Sequence, residues 1–90
     1  MVQLPLPNHI RKTNVIKAIS ARKDVDGFTA QNSGDLLNGI IPKVYPCTPK
    51  GVLRLLKEYN IEIAGKYAVI VGRSNIVGKP VAIMLLNKDA

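Results

Sequence analysis

Two uninterrupted apolar stretches flank a polar turn bounded by glycines. The run Ala68–Val71 is typical of a strand buried on both faces in a parallel sheet. Gly72 ends this run, polar residues follow it, and Gly78 precedes a second apolar block over residues 81–86. That block is long enough for a helix, and Pro80 fits its first turn, where a missing N–H costs little. The pattern therefore predicts a strand, a turn and a helix in that order.

Three segments before this unit carry apolar residues at helical spacing. Thr13 is placed to cap the first helix, and Gly39 is placed to close the second. The third helix is predicted to begin with Thr48 as N-cap and Pro49 in its first turn, and to end at Asn60. The apolar positions of these helices are Val15, Ile16, Ile19, Leu36, Leu37, Val52, Leu53, Leu55, Leu56 and Tyr59. We place a domain boundary near residues 60–64, after the third helix.

The first residues of the chain alternate between apolar and other positions. Val2 and Leu4 flank Gln3, and prolines follow, so the segment is at most the end of a strand. A glutamine amide among apolar neighbours needs hydrogen-bond partners if it is buried. The alternative is an exposed polar position on an edge strand.

Asp24 and Asp26 lie one residue apart, immediately before Gly27. On a strand two such side chains point to opposite faces, so one carboxylate can face inward while the other is solvated. An inward carboxylate is costly unless it is hydrogen-bonded or meets a ligand. The alternative is a turn-forming Asp-Gly pair, which these residues favour when they are considered by themselves.

The turn over residues 72–78 has features of a phosphate-binding loop. Glycines let the backbone approach a ligand, and the first turn of a helix offers unpaired N–H groups. Arg73 adds a permanent planar cation. The spacing of Gly72 and Gly78 is neither G-x-G-x-x-G nor the P-loop pattern. The alternative is a turn in which the glycines only permit close packing.

The composition fits one small basic domain at most. The chain has 90 residues, 47% of them hydrophobic, with a net charge of +7 and a pI near 9.9. Such a charge suggests anionic partners. The basic residues are scattered, however, and no base-stacking motif accompanies them, so a solvated basic surface is a better interpretation than a nucleic-acid site.

Cys47 and His9 are the only residues of their types. A single cysteine cannot form an internal disulfide and fits a reducing compartment, and we expect its thiol to be buried. His9 has no Cys, Asp or Glu at ligand spacing, so we predict no metal site. No apolar run reaches membrane-spanning length, so we expect no membrane partner.

Four motifs, in their order along the chain, resemble one enzyme family. They are Val-Gln-Leu-Pro-Leu at 2–6, Lys-Asp-Val-Asp-Gly-Phe at 23–28, Pro-Cys-Thr-Pro-Lys-Gly at 46–51, and Gly-Arg-Ser-Asn-Ile-Val-Gly-Lys-Pro at 72–80. The series closely resembles the bifunctional methylenetetrahydrofolate dehydrogenase/methenyltetrahydrofolate cyclohydrolase family. The resemblance implies an α/β fold. It assigns residues 1–60 to the C-terminal part of the folate-binding catalytic domain, and 61–90 to the first βα unit of a Rossmann-type NAD(P)-binding domain.

The resemblance also implies the reactions. Enzymes of this family oxidise 5,10-methylenetetrahydrofolate with NADP as hydride acceptor, and they hydrolyse 5,10-methenyltetrahydrofolate to 10-formyltetrahydrofolate. These steps belong to one-carbon metabolism and purine biosynthesis. The family implies an active site in the cleft between two α/β domains, a tetrahydrofolate substrate, a homodimer and a cytoplasmic location.

Gln3 and Asp26 are the catalytic residues that the resemblance implies. Gln3 matches the family glutamine that hydrogen-bonds the catalytic lysine, and Val2 and Leu4 match backbone positions that line the folate. Asp26 matches the carboxylate that holds the pteridine, whose adjacent N–H donors one carboxylate can accept in parallel. Asp24 would then be the outward partner.

Four residues match cofactor contacts of the family. Gly72, Arg73 and Ser74 match the turn that contacts NADP, and Arg73 suits a ribose 2′-phosphate better than a bare hydroxyl. Thr48 falls in the cofactor-side segment.

Two family motifs do not occur in the sequence. No tyrosine is followed by lysine at the Tyr-x-x-x-Lys spacing that carries the catalytic lysine, and the Pro-Gly-Gly-Val-Gly-Pro segment is missing. We therefore expect an internal fragment that lacks both activities by itself. The alternative function is a small basic binding domain for nucleic acid or a protein partner, in which the motif likeness is accidental.

Overall fold

The computed structural model describes all 90 residues and contains four helices and no strand. Helix α1 spans Lys12–Ala18, α2 spans Ala30–Leu37, α3 spans Cys47–Glu58 and α4 spans Gly78–Leu86. Each of the four predicted helical segments therefore forms a helix. None of these helices is long and apolar enough to cross a membrane.

Helices α2 and α3 stop where the sequence predicts, and they stop by the same geometry. Gly39 has φ +70° and donates its N–H to the Leu36 carbonyl at 3.2 Å. Asn60 has φ +54° and donates to the Lys57 carbonyl at 3.1 Å. In both cases the N–H of the next residue donates to the carbonyl one residue earlier in the helix, that of Asp35 in α2 and of Leu56 in α3. This is the Schellman arrangement, which needs a residue that tolerates the left-handed conformation.

The N-caps of α1 and α3 lie two residues before the predicted ones. Helix α3 begins at Cys47 with Pro46 as its N-cap, so Thr48 lies inside the first turn and caps nothing. The Pro46 carbonyl accepts the N–H of Lys50 at 3.0 Å, and a proline at this position loses nothing by having no N–H. Likewise, α1 begins at Lys12, before Thr13.

A thin core holds α2, α3 and α4 together. It consists of Leu36, Leu53 and Met84, one from each helix. The side-chain amide of Asn87 donates to the Leu36 carbonyl at 2.9 Å, which ties the end of α4 to the end of α2. The core joins residues from both sides of the predicted boundary at 60/61, which itself stays a prediction. Only 13 of 90 residues are buried, and the molecule is elongated, at 43 × 25 × 20 Å.

The segment 67–73, which contains the predicted buried strand, is exposed in the structure. None of the 42 backbone–backbone hydrogen bonds uses a residue of this segment. Val69 and Val71 are 73% and 99% exposed, and Tyr67 is 95% exposed. Residues 68–71 therefore do not form the predicted buried strand within this chain, and their place in a sheet stays a prediction. A strand forms through pairing with neighbours, and no other segment of the chain pairs with residues 67–73 or with residues 2–6.

Candidate functional site

The N-terminal segment and the glycine-bounded turn share one cavity. The cavity has a volume of about 430 Å³ and is lined by Leu4, Pro5, Leu6, Pro7, Asn8, Ile10, Lys12 and Ile76. Ile76 belongs to the turn between Gly72 and Gly78, so the predicted folate-lining residue Leu4 lies at the same cavity as one residue of that turn. The other predicted site residues do not line this cavity; they are Val2, Gln3, Asp26, Thr48, Gly72, Arg73 and Ser74. The fold thus brings together two motifs that are about 70 residues apart in the sequence.

Within the N-terminal segment, Val2 and Leu4 are half-buried and Gln3 between them is exposed. The Gln3 amide donates only to the carbonyl of its neighbour Leu4, at 3.3 Å. Gln3 thus occupies the exposed position that the sequence left open as an alternative, and its side-chain oxygen accepts no hydrogen bond within the chain. The predicted role of Gln3 in holding a lysine stays a prediction.

The turn over 72–78 folds tightly onto itself. A Cβ on Gly78 would stand 2.6 Å from the Gly72 carbonyl oxygen and 2.9 Å from the Arg73 nitrogen, so only glycine fits there without a shift of backbone. Ser74 closes the turn, because its hydroxyl oxygen accepts the N–H groups of Val77 and Gly78, each at 3.1 Å. Close packing is therefore a function of Gly78, whereas a Cβ on Gly72 would meet nothing within 4 Å.

The first turn of α4 offers no free N–H group, contrary to expectation. Ser74 takes the N–H groups of residues 77, 78 and 79, since its carbonyl also accepts from Lys79 at 3.0 Å. Pro80 has no N–H, and that of Val81 donates to the Val77 carbonyl at 2.9 Å. An anion at this turn would have to be held by the loop that precedes the helix.

That loop carries the donors that a phosphate needs. The backbone N–H groups of Arg73, Ser74, Asn75 and Ile76 donate to nothing within the chain. Arg73 is exposed and forms no ion pair, since the one ion pair of the chain joins Arg54 and Glu58. A row of unpaired backbone donors beside a guanidinium is chemically suited to phosphate oxygens. Gly72, Arg73 and Ser74 therefore fit the cofactor predicted for them.

Thr48 is exposed on the first turn of α3, and its hydroxyl has no hydrogen-bond partner in the chain. Its predicted contact with the cofactor stays a prediction. Cys47, the residue before it, is exposed rather than buried as expected, and its thiol lies 3.8 Å from the Val25 carbonyl oxygen.

The two aspartates occupy different environments, and the inward one is Asp24. Asp24 is 4% exposed, which contradicts its predicted outward position. Its carboxylate accepts the backbone N–H groups of Gly27 at 2.9 Å and Thr29 at 2.8 Å, and the side-chain amide of Asn32 at 2.8 Å. The segment turns instead of running as a strand, so the rule of alternating faces does not apply. The local alternative of a turn built by the Asp-Gly pair describes this segment.

Hydrogen bonding also decides the charge of Asp24. Burial by itself would raise the pKa of this carboxyl group. The N–H of Thr29 and the amide of Asn32 favour the charged form more strongly and hold the pKa of Asp24 well below its usual range. Asp24 is thus a carboxylate at neutral pH whose charge is compensated from inside the fold.

Asn32 is the residue of this region that sequence reasoning missed. It is 2% exposed and donates to the Asp24 carboxylate and, at 3.3 Å, to the Thr29 hydroxyl. Thr29 is the N-cap of α2 and accepts the N–H of Asn32 at 3.5 Å. The available signal was a threonine that lies two residues after Gly27 and three residues before the polar side chain of Asn32.

Asp26 remains available for a ligand. It is half-buried, its carboxylate accepts no hydrogen bond and forms no ion pair within the chain, and its own N–H donates to Asp24 at 3.2 Å. The next residue, Gly27, has φ +71°, and a Cβ there would stand 2.8 Å from the Val44 carbonyl oxygen and from the Pro46 nitrogen. The turn that carries Asp26 is therefore pressed against residues 44–46.

A larger groove lies elsewhere in the chain. It has a volume of about 900 Å³ and lies between the end of α2, one face of α3 and the end of α4, with Leu36, Leu53 and Met84 among its lining residues. None of the predicted site residues lines it. No group of three or more His, Cys, Asp or Glu side chains that could hold a metal ion occurs in the structure.

Known proteins are similar to this chain along its whole length. Residues 46–90, half of the chain, match the NAD(P)-binding domain of tetrahydrofolate dehydrogenase/cyclohydrolase. The chain belongs to the tetrahydrofolate dehydrogenase/cyclohydrolase family. Over all 90 residues it is 58% identical to the bifunctional protein FolD of Streptococcus thermophilus, of which it covers 31%. The chain thus spans about a third of the length of the curated family members that it matches.

Solved structures of the family share the fold of this chain. The bifunctional FolD enzyme of Campylobacter jejuni is 55% identical and superposes with a TM-score of 0.94. The superposition covers 98% of this chain and 31% of the Campylobacter chain. The Trypanosoma brucei methylenetetrahydrofolate dehydrogenase-cyclohydrolase, solved with NADP cofactor and an inhibitor, is 43% identical. It superposes with a TM-score of 0.93 over 98% of this chain and 30% of the Trypanosoma chain. These family members are all dehydrogenase/cyclohydrolases, and nothing in them supports a basic binding domain.

Proposed function

We propose that this chain supplies pterin and dinucleotide contacts of an NADP-dependent methylenetetrahydrofolate dehydrogenase and methenyltetrahydrofolate cyclohydrolase. The observation that carries the proposal is the shared cavity between Leu4 and Ile76, which joins the predicted folate segment to the predicted cofactor turn. Membership of the family and 58% identity to a bifunctional FolD protein support the same function. The intact enzyme would act in one-carbon metabolism as a cytoplasmic homodimer, with a Rossmann-type sheet that includes residues 68–71.

Asp26 would hold the pterin. Its carboxylate is free of partners within the chain, whereas that of Asp24 is fully engaged. The aminopyrimidinone ring presents adjacent N–H donors, and an unpartnered carboxylate accepts two of them in parallel. Val2, Gln3 and Leu4 would line the folate from the N-terminal segment, with the Gln3 amide available to a lysine of the intact enzyme.

The loop after Gly72 would hold the dinucleotide. Bound NADP supplies the hydride acceptor of the dehydrogenase reaction. The free N–H groups of residues 73–76 would donate to its phosphates, and Arg73 would pair with the ribose 2′-phosphate. Gly78 permits this loop to lie against the start of α4, and Thr48 would approach the cofactor from α3.

A titration of the 90-residue chain with NADP and with NAD tests the cofactor half of this proposal. We expect NADP to bind more tightly, and Arg73→Ala to weaken NADP about tenfold while changing NAD little, because a charge-assisted contact to the 2′-phosphate is lost. Arg54→Ala is the matched control, since this exposed arginine pairs only with Glu58 on α3. Equal losses of NADP affinity in the two variants would show that Arg73 acts only through the net charge of the chain, and would contradict the proposal.

The catalytic half of the proposal concerns the intact enzyme. Because the sequence has no Tyr-x-x-x-Lys motif, we expect the chain alone to show neither activity in steady-state assays. NADP-dependent oxidation of methylenetetrahydrofolate by the purified chain would contradict that expectation.

A further inference from the structure

Asp24 is a buried carboxylate for which neither the reactions nor the family resemblance provides a role. We propose that Asp24 is the positioning residue for Asp26: it holds the turn from which the pterin-binding carboxylate projects. This inference rests on the proposed function and extends it from the residue that would contact the pterin to the residue that orients it.

The hydrogen bonds of Asp24 exclude a direct contact with a ligand. One carboxylate oxygen accepts the N–H groups of Gly27 and Asp26, at 2.9 and 3.2 Å. The other accepts the Thr29 N–H and the Asn32 amide, both at 2.8 Å. A carboxylate has about four acceptor positions, so these four donors saturate it. With a side chain that is 4% exposed, Asp24 can act only through the residues that donate to it.

The donors are placed so that Asp24 controls the direction of Asp26. One of them is the backbone N–H of Asp26 itself, and another belongs to the next residue, Gly27. From the other side, Gly27 is pressed against Val44 and Pro46, with no room for a Cβ. The peptide units on both sides of the Asp26 Cα are thereby fixed, and the direction of its Cα–Cβ bond follows from them.

Asp24→Asn is the first test because it keeps the shape and changes one acceptor into a donor. If the remaining oxygen faces Gly27 and Asp26, the new NH₂ group faces two other donors, on Thr29 and Asn32. The double variant D24N/N32D is the matched rescue. In that variant residue 32 provides a carboxylate that can accept from both the new amide and the Thr29 N–H, while residue 24 still accepts from the turn.

The measurement is isothermal titration of the 90-residue chain with 5-formyltetrahydrofolate, a stable folate with an intact pterin ring. We expect Asp26→Asn to weaken binding at least about tenfold, since a charge-assisted contact is lost. Asp24→Asn should weaken it about tenfold in the wild-type background and less than about twofold in the D26N background, because a residue that acts through Asp26 is coupled to it. D24N/N32D should return to within about threefold of the wild-type affinity.

Affinity for NADP separates positioning from a general structural role. A positioning residue of the Asp26 turn leaves NADP binding unchanged when it is replaced, whereas a loss of overall structure weakens both ligands. If D24N does not fold, which circular dichroism detects, the folded D24N/N32D variant carries the test, and a tenfold loss of folate affinity in it overturns the inference.

The remaining outcomes distinguish the two proposals. The proposed pterin site is contradicted if the wild-type chain does not bind folate or if D26N binds it unchanged. In either case the positioning role of Asp24 is contradicted as well. Weakened binding by D26N together with unaltered binding by D24N overturns the inference about Asp24 alone. Losses that add independently in the double variant D24N/D26N overturn it as well.

Discussion

Gly78 lies in backbone contact with Gly72: a Cβ on Gly78 would be 2.6 Å from the Gly72 carbonyl oxygen and 2.7 Å from its carbonyl carbon. The partner atoms are backbone, so they cannot rotate away as the end of a flexible side chain could. This contact sets how closely the loop that carries Arg73 approaches the first turn of α4.

Gly78→Ala should destabilise the chain by about 1–3 kcal/mol, the usual cost of overpacking, and should also displace the loop and weaken NADP binding. Gly51→Ala in α3 is the matched control, because a Cβ at that position meets nothing within 4 Å and alanine favours the helix. Urea denaturation followed by circular dichroism measures both. Equal stability of the two variants would show that the turn adjusts at no cost.

Gly27→Ala should cost more than Gly39→Ala. The two glycines share the same backbone strain, at φ +71° and +70°, but only the Cβ of residue 27 would collide with backbone, at Val44, Tyr45 and Pro46. We expect about 1–2 kcal/mol for Gly39→Ala from the left-handed conformation alone, and at least about 1 kcal/mol more for Gly27→Ala from the collision. Denaturant midpoints of the two variants measure the difference, and equal losses would contradict the close contact.

Ser74→Ala should remove the hydroxyl that accepts the N–H groups of Val77 and Gly78 at the start of α4. Its hydroxyl accepts two N–H groups, and loss of a capping oxygen costs about 1 kcal/mol. Ser74→Thr keeps the oxygen and should retain most of the stability. Ser33→Ala is a second control, because Ser33 is exposed on α2 and makes no side-chain hydrogen bond. Thermal unfolding of the three variants tests this prediction, which fails if Ser74→Ala matches Ser33→Ala.

Stability should fall in acid because of Asp24. Its pKa is lowered in the folded chain, so its contribution is fully present above the unfolded pKa of about 4 and is lost as the pH falls from there toward the folded pKa. Urea midpoints between pH 7 and pH 2.5 should therefore decline below about pH 4 in the wild-type chain and decline less in Asp24→Asn. Asp35→Asn is the control, since Asp35 accepts only from Gln31 at an exposed site, and this variant should keep the wild-type pH dependence.

Local signals in the sequence predicted the helical elements and their ends well. The left-handed stops at Gly39 and Asn60 were readable because few residues tolerate that conformation, and Pro80 marked the first turn of α4. The helix starts were predicted less well. Thr13 and Thr48 are good N-cap residues, but α1 and α3 each begin one residue before them, at Lys12 and Cys47. The inward aspartate was misassigned because alternation along a strand does not apply to a turn.

The sequence by itself determined the family, through four motifs in a fixed order, and the residue types able to hold a pterin and a phosphate. Only the tertiary structure decided that the Asp24 carboxylate accepts hydrogen bonds from within the chain while the Asp26 carboxylate accepts none. It also decided that Leu4 and Ile76 line one cavity. It also decided that residues 67–73 are exposed in this chain. The physical reason is the same in each case: motifs depend on local chemistry, whereas burial, pairing and the use of each hydrogen-bonding group depend on which distant residues the fold brings alongside.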